Sequence, residues 1–138
     1  MMPVFLILSI LLFSAQSVAS IVVFTDSQHP IAHAGENARM VFLDEPEQLQ
    51  QQFFANLPNE PGNAEHIAQS ILLSPDWKQK EQQLLTDYQG VIEAYQLQLE
   101  KYPAVVFDGH YVVYGTADVA QAQQHYELFT ASNERSLL

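Results

Sequence analysis

The side chains whose types and spacing could support metal binding or catalysis are concentrated between residues 26 and 33. Asp26 precedes His29 by three positions and His33 follows it by four, so a single helical turn would place all three on one face. With His110 approaching from later in the chain, the set would resemble a His/Asp metal site. Loop histidines are more often exposed than ligating. We therefore predict no metal and no cofactor, and we keep this histidine set as the alternative.

Two other kinds of catalysis have weak support in the sequence. Ser27 and His29 could form a nucleophile and a base, but no glycine-framed elbow surrounds the serine. Asp44, Glu45 and Glu47 lie at a helix start, where capping and the helix dipole explain carboxylates. The chain contains no cysteine, which excludes thiol redox chemistry. We predict no catalytic residue and a protein that is not an enzyme.

The charge balance also restricts the partners. The sequence has 16 acidic and 5 basic residues and a net charge of −11. Such a surface repels phosphate backbones, and the few cations form no stripe, so nucleic-acid binding is not expected. Without disulfides, the domain must be held together by its core alone.

The N-terminus has the pattern of an export signal. Residues 4–13 are apolar apart from Ser9, and small residues follow as far as Ala19. This run is shorter than the roughly 20 residues that cross a bilayer. We predict a signal peptide over 1–19 with cleavage between Ala19 and Ser20, a periplasmic location and no stable membrane insertion afterwards. Roughly 120 residues then remain, enough for one domain.

The segments that would form the domain begin with two short strands, Ile21–Thr25 and Met40–Leu43, separated by a loop. Asp44 is expected to cap a first helix. Asn63 would cap a second helix, and Ser74-Pro75-Asp76 would start a long third helix that ends near Leu99. The apolar stripe predicted to be buried on that long helix comprises Trp77, Leu84, Tyr88, Val91, Ile92, Tyr95 and Leu99.

The segment after the long helix predicts a β-hairpin. Asp108-Gly109 lies between two β-rich runs and favours a two-residue turn. Alternation places Tyr111 with Val113 on one face of the sheet, and Val112 with Tyr114 on the other. If one of these faces were uncovered, it would offer an aromatic binding surface. Thr116 would cap a final helix, and the domain would span 20–130 with a flexible tail over 131–138.

A proline before a strand, a hairpin with an acidic-Gly turn, a glycine and a capped last helix together resemble the C-terminal half of a thioredoxin-like fold. The resemblance implies an α/β domain with a small mixed sheet, flanking helices and one long helix before the hairpin. It also implies that Pro103 is cis and faces the loop after the first strand. This interpretation requires Ile21–Thr25 and Ala104–Phe107 to be neighbours in one sheet.

Longer stretches resemble a family of small exported proteins encoded by integrating conjugative elements. They are FTDSQHP near the mature start, SPDW before the long helix, YQGVIEAYQL within it, and YPAVVFDGHYVVYGTADVAQA after it. That family has no assigned chemistry and is similar in scaffold to pilus-assembly proteins of F-type conjugative systems. The resemblance implies a role in mating-pair formation or pilus assembly, with protein components of a conjugative type IV secretion apparatus as partners.

We therefore expect a non-catalytic binding or assembly module that acts by shape. The alternative is a metal-binding protein or metal-dependent enzyme that uses His29, His33 and His110. An inhibitor or chaperone of a secreted subunit is a third hypothesis, and the sequence does not separate it from an assembly factor. The predicted partner-binding residues are Asp26, Ser27, Gln28, His29, Pro30, Pro103, Tyr111 and Tyr114.

Overall fold

A computed structural model describes residues 19–136, which form an α/β domain with one four-stranded sheet and four helices. Most of the predicted signal peptide (1–19) lies outside the described residues. The strands are β1 (Ile21–Thr25), β2 (Ala38–Phe42), β3 (Ala104–Phe107) and β4 (Tyr111–Tyr114). The helices are α1 (Glu45–Phe54), α2 (Pro61–Leu72), α3 (Trp77–Gln96) and α4 (Val119–Arg135).

The sheet is mixed, with strand order β2-β1-β3-β4. β1 runs parallel to β2 and antiparallel to β3, and β3 pairs antiparallel with β4. The predicted mixed α/β class, the C-terminal hairpin and the long helix before it are confirmed. Because β1 and β3 are neighbours, the condition set by the thioredoxin-like interpretation is met. The order also leaves β2 and β4 as the two edges of the sheet.

Helices cover both faces of the sheet. Val23, Val105 and Phe107 pack with residues of α4 on one face, while Phe24 and Val106 pack with Ala94 of α3 on the other. Strands buried on both faces need apolar side chains at every position, which explains their continuous apolar runs. The central strands therefore have no uncovered face, and the predicted alternation of β4 holds, since Val113 packs on one side of the sheet and Val112 on the other.

The buried face of α3 differs from the predicted stripe. Asp87 and Ala94 are the buried residues of this helix, and Gly90 lies against Val41 of β2. Tyr88, Ile92 and Tyr95 are instead 40%, 52% and 84% exposed. The small residues let the backbone of α3 come close to β2, so these three larger side chains point outward. The other members of the predicted stripe are partly buried, namely Trp77, Leu84, Val91 and Leu99.

Three predicted helix caps are also wrong. Asp44 precedes α1 but makes no capping hydrogen bond, because its carboxylate is bound to the loop after β1, as described below. α2 begins at Pro61 rather than after Asn63, since proline is well tolerated in a first turn. α4 is capped by Asp118, whose side chain accepts from the amide of Gln121. The hydroxyl of Thr116 instead accepts from the amide of Asp118, before the first residue of the helix.

The hairpin turn contains three residues rather than two. Phe107 pairs directly with Tyr111, and the amide of His110 donates to the carbonyl of Phe107 over 3.1 Å. Asp108 and Gly109 both have positive φ, 52° and 68°, as a type I′ turn requires. Asp108-Gly109 thus forms the turn as predicted, and His110 is the additional residue.

The C-terminal helix is longer than the sequence predicts. α4 continues through Arg135, past the expected domain end at residue 130 and into the predicted tail over 131–138. Within the described residues 19–136, no helix combines the length and apolar character needed to cross a membrane.

Candidate functional site

The loop after β1 is held by its own side chains. The carboxylate of Asp26 accepts from the amides of Gln28 and His29 over 3.1 and 3.0 Å, and His29 Nδ1 lies 2.5 Å from Asp26 Oδ1. Thr25 is fully buried, and its hydroxyl donates to the carbonyl of His29 over 2.8 Å. The loop is therefore a compact turn around Asp26, with no helix in this segment.

Ser27 is bound to Asp44, at the start of α1, rather than to His29. Its hydroxyl donates to Asp44 Oδ2 over 2.5 Å, and its amide donates to both oxygens of the same carboxylate. Gln48 Nε2 also donates to Asp44, over 2.8 Å. Desolvation opposes the change, but these hydrogen bonds from Ser27 and Gln48 lower the pKa of Asp44 below its usual value. Ser27 is thus a structural contact between the loop and α1.

The next part of the chain is joined to the start of α4. Ala32 accepts from the amide of Val119 and donates to the carbonyl of Ala117, over 3.0 and 3.1 Å. His33 Nδ1 lies 3.0 Å from Asp118 Oδ2. The pKa of Asp118 is lowered first by the amide hydrogen bond from Gln121 and then by the contact with His33. His33 therefore contacts the N-terminus of α4 and not His29's loop turn.

Pro103 lies at the same end of the sheet as this loop. Phe24 pairs with Ala104, so continuing the register by one residue places Pro103 opposite Thr25, at the base of the loop. The peptide bond from Tyr102 to Pro103 is cis, as the thioredoxin-like resemblance implies. Tyr114, at the end of β4, belongs to the same end of the sheet.

The structure does not bring all the predicted partner-binding residues together. Tyr111 and Tyr114 lie at opposite ends of β4, roughly 10 Å apart along a strand with a rise of about 3.3 Å per residue. They also face opposite sides of the sheet. Asp26–Pro30, Pro103 and Tyr114 lie at one end of the sheet, and Tyr111 lies at the other end.

The alternative metal site is not assembled. His110 lies in the hairpin turn next to Phe107, which pairs with Ile21 at the start of β1. His29 follows the other end of β1, about 13 Å away along the strand. Among residues 19–136, no group of three or more His, Asp or Glu side chains could hold a metal ion.

Tyr111 lines an aromatic cleft beside β4, which we call the β4 cleft. It has a volume of about 550 Å³. The ring of Tyr111 is 5.2 Å from that of Tyr126 and 6.0 Å from that of Phe129. Tyr111 and Phe129 are 41% and 51% exposed. The lining residues are His110, Tyr111, Val112, Val113, Tyr114, His125, Tyr126 and Phe129.

The β4 cleft runs along an open sheet edge. The amide of Gly115 donates to Pro103 over 2.9 Å, so residues 113 and 111 also turn their backbone groups toward β3 by alternation. The N–H and C=O groups of Val112 and Tyr114 therefore point to the outer edge of β4, where the sheet order places no further strand. These groups can pair with another extended backbone.

The sequence predicts only some features of the α4 residues that line this cleft. Val119, Ala122, Tyr126 and Phe129 recur at helical spacing, which indicates one face of α4. Nothing in that periodicity shows that Phe129 reaches Tyr111 at the edge of the sheet. The position of α4 relative to β4 depends on tertiary packing.

The structure is thus a small α/β domain. The hydrogen-bonded loop after β1 lies beside the cis-proline Pro103, and aromatic side chains line the open edge of the sheet at β4. Residues 18–132 match a family model described as "Protein of unknown function (DUF1525)", and the chain belongs to this family. No curated protein and no solved structure matches the chain. The family assignment brings no activity with it.

Proposed function

We propose that this protein is a non-catalytic binding module that takes up an extended segment of a partner protein along β4. The partner's backbone pairs with the outward groups of Val112 and Tyr114. Its side chains alternate, and every second one enters the β4 cleft against Tyr111 and Phe129. Backbone pairing supplies affinity and the aromatic cleft supplies specificity, as in other proteins that bind peptides by strand addition.

The observation that carries this proposal is the coincidence of an open strand edge with half-exposed aromatic rings. Sheet edges in soluble domains are commonly protected by charges, proline or a covering element. β4 has the sequence Tyr-Val-Val-Tyr and no charged residue. A half-exposed Tyr or Phe in a cleft is also the kind of residue that dominates binding energy at protein interfaces.

The hydrogen bonds of the Asp26–Pro30 loop support a structural role for its polar side chains. Asp26 binds amides of its own loop, and Ser27 binds Asp44. The Asp44 carboxylate that accepts from the serine hydroxyl also accepts from the amide of Ser27 and from Gln48, so it joins the loop to α1, and Ser27 has no histidine base. Such a loop supports a binding surface better than a catalytic centre.

The cellular setting of the proposal comes from the sequence. The N-terminal pattern supports export to the periplasm, and the resemblance to proteins of integrating conjugative elements supports work in conjugative type IV secretion or mating-pair formation. The thioredoxin-like scaffold, similar to that of F-type pilus-assembly proteins, belongs to the same proposal. In this setting the partner is an envelope component of the secretion or pilus-assembly apparatus.

The test is affinity capture of the tagged, exported protein from crosslinked donor cells that carry its native element. Val112→Pro removes an outward N–H without breaking a bond to β3, and Val112→Ala is the matched control that keeps this N–H. We expect wild type and Val112→Ala to recover secretion or pilus components, and Val112→Pro to lose them. Equal recovery by all three proteins would refute binding along β4, and recovery of no envelope component would refute the assembly role.

The identity of the captured protein also separates an assembly module from a chaperone or inhibitor. Recovery of channel or pilus-assembly proteins supports assembly. Recovery of one secreted subunit alone would contradict assembly and indicate the chaperone or inhibitor hypothesis, while leaving the strand-addition mechanism in place.

A further inference from the structure

A second cleft lies at the opposite edge of the sheet, between β2 and α3. We call it the β2 cleft, and its volume is about 290 Å³. A water molecule's share of liquid volume is about 30 Å³, so the cleft has room for the end of a side chain. Its lining combines apolar side chains, three carboxylates and one cation, among them Arg39, Met40, Phe42, Glu45, Asp87 and Glu93.

Asp87 lines this cleft and forms no ion pair with any residue in the described range 19–136. The residue is only 9% exposed. Its Oδ1 accepts from Gln83 Nε2 over 3.0 Å, but its Oδ2 is shielded from solvent and has no hydrogen-bond partner within the described part of the chain. Burying a carboxylate oxygen without a partner is costly. Of the polar side chains in residues 19–136, this is the one buried atom left unsatisfied.

The other charged groups of the β2 cleft do not neutralise Asp87. Arg39 donates through Nη2 to both carboxylate oxygens of Glu93, over 2.6 and 2.7 Å. Glu45, at the start of α1, adds a second negative charge. Desolvation and the charges of Asp87 and Asp44 raise the pKa of Glu45 above its usual value. Among the described residues, Asp87 and Glu45 thus share the cleft with an Arg39 that is already paired with Glu93, and neither has an ion pair of its own.

We propose that the β2 cleft binds an arginine side chain of a protein partner, with the guanidinium group between Asp87 and Glu45. The planar guanidinium presents several N–H donors and pairs well with carboxylates. The aliphatic stem would pack on Met40 and Phe42, as long cationic side chains do on apolar surfaces. Binding through Oδ2 requires a rotation of the Asp87 carboxylate that turns this atom toward the cleft, and the net charge of −11 attracts a basic partner.

The composition of the cleft favours an organic cation over a metal ion. Divalent cations take six or more oxygen ligands or a compact set of three to four side chains. Residues 19–136 contain no cluster of that kind. The apolar side of the cleft instead fits the methylene groups of arginine.

This site is separate from the β4 edge, because β2 and β4 are opposite edges of the sheet. The two proposals can therefore fail independently. A partner segment could occupy β4 whether or not arginine binds beside β2, and Val112→Pro should leave arginine binding unchanged.

The experiment is an NMR titration of the mature protein with Nα-acetyl-arginine amide at low salt, followed through backbone amide shifts. Nα-acetyl-citrulline amide is the matched neutral probe, since it keeps the shape and loses the charge. Asp87→Asn and Glu45→Gln test the cleft. Glu81→Gln, at an exposed position of the same helix α3, removes one negative charge away from the cleft and serves as the control variant.

We expect arginine amide to shift the amides of β2 and of α3 near Gly90, and to bind at least fivefold more tightly than citrulline amide. Asp87→Asn and Glu45→Gln should each weaken binding at least fivefold, and Glu81→Gln should not. Equal binding of the two probes would overturn the proposal. Equal losses in Glu81→Gln and Asp87→Asn would also overturn it, because they would indicate general attraction to an acidic surface. Shifts caused by Mg²⁺ but not by arginine amide would replace it with a metal site.

Discussion

Gly90 gives the sharpest test of how α3 packs on the sheet. A Cβ atom at this position would lie 2.5 Å from Val41 Cγ1, about 1 Å closer than ordinary van der Waals contact allows. Val41 is itself only 8% exposed, so it has little room to move away. Overpacking of this kind costs roughly 1–3 kcal/mol.

Gly90→Ala has two opposing effects on the free energy of unfolding, because alanine has the higher helix propensity but its Cβ would clash with Val41. The sign of the net change therefore tests the packing. Replacing glycine by alanine inside an exposed helix stabilises it by about 1 kcal/mol. Subtracting this gain from the packing cost leaves an expected destabilisation of about 1 kcal/mol. A domain of this size should then lose roughly 4 °C in Tm.

The assay is denaturant unfolding of the mature protein, with Gly62→Ala as the matched control. Gly62 lies in α2, and a Cβ there meets nothing within 4 Å, so Gly62→Ala should be neutral or stabilising. Adding Val41→Ala should reduce the effect of Gly90→Ala, with a coupling free energy of about 1 kcal/mol. A stabilised Gly90→Ala, or no coupling to Val41, would refute the close approach of α3 and β2.

Three further predictions concern the loop and the N-terminus. Thr25→Val should lower the free energy of unfolding by about 1 kcal/mol, because the carbonyl of His29 loses its hydroxyl donor; Thr25→Ser, which keeps the hydroxyl, should restore the protection of the loop amides against hydrogen exchange. Asp44→Asn should lower Tm at pH 7 but not near pH 2. The pKa of Asp44 is lowered in the folded protein. The stability that its carboxylate contributes is therefore complete above the unfolded pKa and is lost as the pH falls through the folded pKa. An Asp44→Asn effect that persists at low pH would contradict this account. The amide nitrogen of Ser20 lies 2.9 Å from Asp108 Oδ1, and cleavage after Ala19 would turn this nitrogen into an ammonium group. Asp108→Asn should therefore destabilise a chain that starts at Ser20 by up to about 1 kcal/mol more than it destabilises a chain with two additional residues before Ser20. Equal effects in both chains would argue against that ion pair.

The strands could be predicted because their signals are local. Ile21–Thr25 and Ala104–Phe107 are unbroken apolar runs of strand length, and Asp108-Gly109 marks the turn between β3 and β4. The neighbouring placement of β1 and β3 followed from a resemblance of the whole pattern. No periodicity within either strand indicates its partner.

The packing of α3 and the caps could not be predicted because they depend on tertiary contacts. Tyr88 and Tyr95 have the spacing of a buried stripe, yet Gly90 and Ala94 face the sheet. Large apolar residues usually face inward, but here the close approach to β2 needs small ones. Asp44 has a favourable position for a cap, and its carboxylate binds Ser27 from a loop 17 residues away in sequence.

The candidate sites also include some residues that could be predicted from the sequence and others that depend on tertiary packing. The loop Asp26–Pro30 and Pro103 were predicted to lie together, and the register of β1 and β3 places them together. Asp87 was not singled out, because a carboxylate in an amphipathic helix has no sequence feature that distinguishes a buried position from an exposed one. Its burial depends on the angle at which α3 meets β2.

The central claim is that a partner segment lies along β4, and site-specific photocrosslinking tests it most directly. p-Benzoylphenylalanine in place of Tyr111 puts the crosslinker in the β4 cleft, and the same amino acid in place of the exposed Gln124 on α4 serves as the control. We predict a crosslinked partner from donor cells with the label at Tyr111, none at Gln124, and loss of the Tyr111 product when Val112→Pro is added. A Tyr111 product that is unchanged by Val112→Pro, or no product at Tyr111, would contradict binding along this edge.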